Sequence, residues 1–285
     1  MGRLGRNRDV TAVHPDSEKR HGFGAGQVAA GAVALLLVAG GADSIAGSAG
    51  APCASPVDFL PRATALQHGP SRGRRIALTF DADLTSEDLR AGRPRRSFYD
   101  RGIVRTLRRT DTQATLFVTG LWAQEYPNEV RELAHGRLFE LANHTYTHRA
   151  WTPRCFGLPR VRRYAAKRGE VARTSRLLRR LTGQRPFWFR FPGLCHDARD
   201  LRIVARRGEQ AVDGIASGDA YQRDPEVIVS NVVRQARPGA IFVFHMHGSP
   251  DAPATDEALP RVIRELRRRG YELVTLSGLF AHEAG

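Results

Sequence analysis

Lysine is almost missing from this chain of 285 residues, and cysteine is scarce. Only Lys19 and Lys167 are lysine, so arginine supplies nearly all of the basic charge. The three cysteines lack zinc-finger spacing, and no basic stretch is interleaved with aromatic residues, so we expect no nucleic-acid partner. No strong nucleophile motif surrounds a cysteine, which argues against a cysteine-dependent enzyme.

A hydrophobic run of membrane-spanning length is also lacking. The compact apolar run over residues 28–38 is shorter than the ~20 residues that a span needs, and Ala49-Gly50-Ala51 fits a signal-cleavage pattern. Cys53 offers a lipoprotein alternative, which the preceding Pro52 disfavours. We therefore predict a signal peptide or membrane anchor over 1–42, a flexible linker over 43–73 and one folded domain over 74–282. The protein is expected to be secreted or associated with the cell envelope, and to meet a membrane only through an uncleaved N-terminal segment.

Positive charge dominates the chain, with a net charge of +15. Residues 1–51 hold five basic and four acidic side chains, so an excess of +14 belongs to the remaining residues. Such a charge favours polyanions, and an anionic cell envelope is the expected partner. Most of the arginines fall on predicted helices, where solvated helix faces are the ordinary explanation.

Two cysteines, Cys155 and Cys195, remain as an even pair in the predicted exported domain. An oxidising compartment would allow a disulfide between them. Two unpaired buried thiols are the alternative.

Short β-rich runs alternate with longer helical patterns after the linker. This alternation predicts an α/β fold with a parallel sheet, and either a closed barrel or an open sheet is compatible with it. The predicted strands are 75–80, 114–118, 138–142, 187–191, 211–217, 240–244 and 271–276. In both architectures active groups gather at the carboxyl ends of the strands.

Polar side chains occur at those strand ends repeatedly. In chain order they are Asp81 and Asp83, His144 and His148, Arg190, Asp219, and His245 with His247. Imidazoles four residues apart can face one divalent metal, although an isolated H-x-x-x-H is more often a pair of surface histidines. The polar residues at the ends of the other strands favour a metal site over a pair of surface histidines.

The order T-F-D, H-[ST]-x-x-H, R-x-P, a late Asp and a His after an apolar strand resembles the polysaccharide deacetylase family, the NodB homology domain of carbohydrate esterase family 4. The resemblance covers about residues 74–280. It implies a distorted (β/α)7 barrel in a monomer. It also implies metal-dependent removal of N- or O-linked acetyl groups from a carbohydrate polymer such as peptidoglycan, a chitin-like glycan or hemicellulose.

The resemblance assigns roles to individual residues. Asp83, His144 and His148 would bind a divalent metal, with zinc preferred and cobalt as an alternative. Asp81 would be the base that deprotonates the attacking water, and His245 the acid that protonates the leaving group.

Four further residues would bind or orient the substrate. They are Arg190, Pro192, Asp219 and Thr145. Arg190, paired with Asp219, would also hold the base and tune it.

The sequence departs from the family pattern in its first motif and in its fifth segment, and the late histidine is ambiguous. The usual first motif is T-F-D-D-G, whereas Ala82 stands at the position of the metal-ligating Asp and Asp83 at that of Gly. Asp83 could replace the ligand, the metal site could be impaired, or Asp83 could merely cap the next turn. His247 shares a strand face with His245 and is an alternative acid. Asp213-Gly214 occupies the neighbourhood of the family's usual tryptophan, which weakens the assignment of Asp219.

Two other functions stay open at this point. The substitution at Ala82 is compatible with a catalytically impaired glycan-binding protein of the same fold. The same metal chemistry could also hydrolyse a non-sugar amide.

Overall fold

The computed structural model describes residues 60–91, 97–247 and 252–281. The predicted signal or anchor segment and residues 43–59 of the predicted linker lie outside the described residues. Among the helices that are described, none combines the length and the apolar character that crossing a bilayer requires.

The described residues form eight strands and nine α-helices. The strands are β1 Arg75–Ala82, β2 Ala114–Val118, β3 Phe139–Asn143, β4 Trp188–Phe189, β5 Gln210–Ala211, β6 Ile215–Ala216, β7 Ile241–His245 and β8 Glu272–Val274. The helices are α1 Ser86–Arg90, α2 Arg101–Arg109, α3 Gly120–Glu125, α4 Pro127–Ala134, α5 Tyr164–Thr182, α6 Ala198–Ala205, α7 Pro225–Gln235, α8 Thr255–Arg268 and α9 Leu276–Phe280.

All strand pairs are parallel, in the order β5-β4-β3-β2-β1-β7-β6, and β8 adds to β1. The strand β1 lies at the centre, since it pairs with β2, β7 and β8. Within the described residues the pairing does not join β5 to β6, so the barrel wall is open there. The predicted α/β fold with a parallel sheet is confirmed.

The central strands are buried on both faces, as expected of a parallel sheet covered by helices. Ala82 on β1 is 1% exposed and belongs to the main hydrophobic cluster together with Leu84, Trp122 and Phe244. Since side chains alternate along a strand, the neighbours Asp81 and Asp83 turn to the other side.

Sequence signals at the helix ends explain several boundaries. Asp100 caps α2 by accepting hydrogen bonds from the backbone N–H groups of Gly102 and Ile103. Gly183 ends α5 in the left-handed conformation, with φ 76°. The helix α5 begins only at Tyr164, because residues 150 and 160–161 before it pair as extended chain.

Two other expectations change in the structure. The predicted fifth strand divides into β5 and β6. Gly214 between them lies so close to β7 that a Cβ there would be 2.8 Å from the Ile241 carbonyl oxygen. Leu66, in the predicted linker, exchanges backbone hydrogen bonds with Ala211 and Asp213. The end of that linker therefore packs on the sheet. The division at residue 42 stays a prediction.

Candidate metal centre and active site

The end of β1 supplies two carboxylates to one side of the sheet. Asp81 Oδ2 lies 3.6 Å from Nε2 of His144, and Asp83 Oδ1 lies 3.2 Å from the same atom. The next helix, α1, is capped by Thr85 in a capping box with Asp88. Asp83 therefore does not cap that helix, and its carboxylate faces the histidines.

The loop after β3 carries both histidines and is held from several directions. Asn143 Oδ1 accepts the backbone N–H of Thr145, and Glu170 Oε2 accepts the backbone N–H groups of Tyr146 and Thr147 at 2.9 and 2.7 Å. Thr145 and His148 have φ values of 68° and 54°, which non-glycine residues rarely adopt. The surrounding hydrogen bonds offset the cost of this backbone conformation.

Three side chains converge as possible metal ligands: Asp83, His144 and His148 each offer an atom within 4.8 Å of the others. Asp83 Oδ1 is 3.2 Å from His144 Nε2 and 3.4 Å from His148 Nε2. For bonds of about 2.0–2.1 Å in a tetrahedral zinc site, neighbouring donor atoms lie about 3.3 Å apart. The Asp83 Oδ1 and His144 Nε2 atoms are buried without a hydrogen-bond partner in the described residues. These donors fit a divalent cation.

The tautomer of His144 is fixed by its second nitrogen. His144 Nδ1 lies 2.9 Å from the Arg190 carbonyl oxygen, to which it donates, so Nε2 carries the lone pair that a metal needs. Burial lowers the pKa of His148 to about 4, so this imidazole is neutral at physiological pH. Burial alone would lower the pKa of His144, but the carboxylates of Asp81 and Asp83 outweigh it and raise this pKa, so a metal would displace a proton from His144 Nε2.

Arg190 is fully buried and pairs with Asp81. Its Nη1 donates to Asp81 Oδ1 and to Thr79 Oγ1, both at 2.8 Å, and its guanidinium carbon lies 3.9 Å from the centre of the Phe117 ring. The predicted pairing of Arg190 with Asp219 is therefore wrong. Since Arg190 occupies Oδ1, the other oxygen of Asp81 faces His144.

Asp219 instead holds His245. The Asp219 carboxylate accepts the His245 backbone N–H at 2.7 Å, its ring Nδ1–H at 2.9 Å and the Thr255 hydroxyl at 2.8 Å. Burial alone would lower the pKa of His245, but the Asp219 carboxylate outweighs it and raises this pKa to about 10. His245 is therefore protonated at neutral pH. It lies beside Asp81 in the β1–β7 register.

The four residues predicted to bind substrate are all buried: Arg190, Pro192, Asp219 and Thr145. Their contacts are internal. The Thr145 carbonyl accepts the Gly120 N–H and the Thr174 hydroxyl, and Pro192 opens a single 3-10 turn after Phe191. These four side chains therefore belong to the protein interior around the site.

His247 and His196 lie at the edges of this cluster. His247 Nε2 is 3.4 Å from Asp83 Oδ2, and His196 Nε2 is 3.1 Å from Asp213 Oδ2. Only His247 contacts a residue of the three-ligand group. His247 therefore lies next to the candidate metal ligands.

A disulfide joins Cys155 to Cys195, as the even pair predicts, with a Cα–Cα distance of 6.0 Å. It links the loop that follows His148 to the turn that follows Arg190. The loop that carries His144 and His148 is therefore tied to the turn that follows Arg190.

Comparison with known proteins identifies the family to which the chain belongs. The family model described as "Polysaccharide deacetylase" matches residues 68–212, just over half of the chain. The chain belongs to the polysaccharide deacetylase family. The matched range ends before Asp219 and His245, so the placement of these two rests on the structure alone.

Relatives of this polysaccharide deacetylase include enzymes and one protein described as inactive. A peptidoglycan-N-acetylglucosamine deacetylase of Bacillus cereus is 25% identical over 228 residues, which are 79% of this chain and 75% of that protein. The crystal structure of the peptidoglycan N-acetylglucosamine deacetylase Bc1960 has a TM-score of 0.62 at 24% identity and covers 76% of this chain and 92% of its own. BA3943, a pseudoenzyme of the same esterase family from Bacillus anthracis, also has a TM-score of 0.62, at 22% identity over 77% of this chain and 70% of its own.

Some residues that support the deacetylase site were missed by the sequence reasoning. Asn143 and Glu170 hold the histidine loop, and Glu209 accepts hydrogen bonds from the Asn143 amide and the Ser175 hydroxyl. A signal existed for Glu170, which is the one acidic residue in α5. Nothing in the sequence pattern marks Glu209.

Proposed function

We propose that this polysaccharide deacetylase removes acetyl groups from a cell-wall glycan, with N-acetylated peptidoglycan as the leading substrate and zinc as the metal. The observation that carries the proposal is a group of three features at the carboxyl ends of the parallel strands. These are the donor triad of Asp83, His144 and His148, the Arg190-held carboxylate of Asp81, and the protonated imidazole of His245.

The metal would be held by Asp83 Oδ1 and the Nε2 atoms of His144 and His148. Three protein ligands leave further positions open, as in catalytic zinc sites. When bound, the cation supplies a Lewis acid for the acetyl carbonyl oxygen and lowers the pKa of water. Cobalt, which also accepts imidazole and carboxylate ligands, is the alternative.

Asp81 acts as the base in this proposal. Arg190 occupies its Oδ1, so Oδ2, the oxygen that faces His144, takes the proton from the attacking water. His245 then donates its proton to the departing nitrogen or oxygen of the sugar. Asp219 keeps that imidazole charged and oriented until the transfer.

Arg190, Pro192, Asp219 and Thr145 take supporting places rather than direct contacts with the polymer, because their side chains are buried. Arg190 positions the base, and Asp219 positions the acid. Thr145 and Pro192 shape the two loops around them. This proposal keeps the predicted residues and changes how they act.

The anionic cell envelope is the proposed surrounding of the enzyme. The exposed arginines of α5 are Arg168, Arg173, Arg176, Arg179 and Arg180, and none lies within 4 Å of a carboxylate of the described residues. Arginines elsewhere pair with acids, as Arg108 does with Glu132. An uncompensated basic helix face attracts anionic polymers. The disulfide of Cys155 fits export, because such bonds persist in oxidising compartments.

The enzymatic proposal is tested by acetate release from N-acetylated peptidoglycan, chitooligosaccharides, acetylated xylan and a simple aryl acetamide. Chelator should abolish release, and zinc or cobalt should restore it. His144→Ala should lose metal and activity, whereas His135→Ala, at an exposed position outside the pocket, should match the wild type. Glycan retention without metal or acetate release would select the impaired binding protein. Preference for the acetamide would select the non-sugar amidase.

The envelope proposal has its own test. Arg173, Arg176 and Arg180 are replaced by Gln together, and retention on purified anionic wall polymer is followed against salt concentration. The matched control removes three acid-paired arginines, Arg90, Arg108 and Arg137, with the same loss of charge. The α5 variant should elute at clearly lower salt than the control. Equal elution would leave no role for this face.

A further inference from the structure

The imidazole of His247 faces the second oxygen of the proposed metal ligand Asp83. His247 Nε2 lies 3.4 Å from Asp83 Oδ2, while Asp83 Oδ1 faces His144 and His148. His247 is mostly buried, with 12% of its side chain exposed. Its ring lies against those of His245 and Phe98, at centroid distances of 5.6 and 6.1 Å. The ring is thus confined by its neighbours on the Asp83 side of the pocket.

The position of Asp83 explains why its carboxylate needs a partner. The parallel pairing of β1 ends at Ala82 with β2 and at Asp81 with β7, so Asp83 lies just beyond the strand. A carboxylate past the end of a strand has rotational freedom unless both of its oxygens are held. Among the described residues, His247 is the one side chain within hydrogen-bond reach of Oδ2.

Asp83 is also a position at which this chain departs from the family pattern, and His247 contacts it. Ala82 stands where the T-F-D-D-G pattern has the ligating Asp, so the ligand is displaced by one residue. His247 adds an imidazole two residues beyond His245, on the same face of the chain. The displaced carboxylate thus has an imidazole within hydrogen-bond reach.

We propose that His247 is a positioning residue of the metal centre. Its Nε2–H donates to Asp83 Oδ2 and turns Oδ1 toward His144 and His148. The inference rests on the proposed function, since it takes Asp83 as a ligand. His247 is not itself a ligand here, because the group of donor atoms within 4.8 Å of one another comprises Asp83, His144 and His148. Such outer partners of metal ligands alter affinity strongly without touching the metal.

The experiment measures zinc and cobalt affinity of the full chain by competition with a chromophoric chelator. His247→Leu removes the donor and should weaken both affinities by about 10- to 100-fold. His247→Gln places an amide N–H near the same position and should bind close to the wild type. His135→Leu, at an exposed site, is the control. Circular dichroism and thermal unfolding of the metal-free proteins verify that each variant is folded.

The visible spectrum of bound cobalt separates positioning from ligation, because its intensity follows the coordination number. An unchanged spectrum in His247→Gln with retained affinity supports the proposal. Two results overturn it. One is wild-type affinity in His247→Leu, and the other is loss of affinity in His247→Gln with a spectrum of altered coordination, which makes His247 a ligand. A wild-type protein that binds neither metal refutes the proposed function instead.

Discussion

Removing the carboxylate of Glu170 should loosen the histidine loop and destabilise the protein measurably. Glu170 Oε2 accepts the backbone N–H of Tyr146 at 2.9 Å, and the backbone N–H and hydroxyl of Thr147 at 2.7 and 3.0 Å. In Glu170→Ala the two backbone donors lose their partner at a site where the glutamate is only 8% exposed. Each unsatisfied buried donor costs about 1–3 kcal/mol, so for the two donors we expect a loss of about 2–6 kcal/mol in the free energy of unfolding.

The assay is urea unfolding of the metal-free protein, so that metal binding does not contribute to stability. Glu170→Gln keeps one neutral acceptor and should lose about 1–2 kcal/mol, because hydrogen bonds to charged acceptors are stronger. Glu132→Ala is the control, since Glu132 forms an exposed pair with Arg108 and should cost less than about 1 kcal/mol. If Glu170→Ala is no more destabilising than that control, the carboxylate does not hold the loop.

Three further perturbations have expected outcomes. In the pH profile of kcat/KM, Asp219→Asn should move the alkaline limb to lower pH, because the raised pKa of His245, about 10, depends on the Asp219 carboxylate. An alkaline limb at the wild-type pH would contradict His245 as the acid. Burial raises the pKa of Glu209 to about 8, so this carboxyl ionises at lower pH in the unfolded protein than in the folded one. The free energy of unfolding should therefore fall as the pH rises from about 4.5 to about 8. Glu209→Gln should flatten this slope in urea unfolding at several pH values, and an equal slope would point to another group. Replacing Cys155 and Cys195 by Ala opens a loop of 40 residues and should cost about 4 kcal/mol in urea unfolding, whereas unchanged stability would contradict the chain-entropy account.

Chemistry at the strand ends could be predicted because parallel strands bring their carboxyl ends to one edge. Asp81 and Asp83 share a side by the two-residue period of β1, and His144 with His148 follow a strand two places away in the sheet. A disulfide between the two domain cysteines was expected from their even number and the predicted export, with two unpaired thiols as the alternative. The inferences about the carboxylates and the histidines need only the side-chain periodicity and the direction of the strands.

Partners across the sheet could not be predicted in the same way. Asp219 follows β6, which lies beside β7 and therefore beside His245. Arg190 follows β4, and its long side chain crosses the interior to Asp81 at the end of β1. Which side chain meets which depends on the order of strands in space, and sequence spacing does not contain that order. The supporting hydrogen bonds of Glu170 depend on helix packing and were missed for the same reason.

The central place of β1 also shapes how the chain can fold as it is made. Thr79 on β1 donates its hydroxyl proton to the carbonyl of Phe242, 163 residues later, and β8 joins the same strand later still. An emerging polypeptide thus exposes its central strand until almost the whole domain has been synthesised, and contacts so distant in sequence form slowly. A ribosome-bound fragment that stops before residue 241 should still lack the wall that carries His245, whatever the state of its histidine loop.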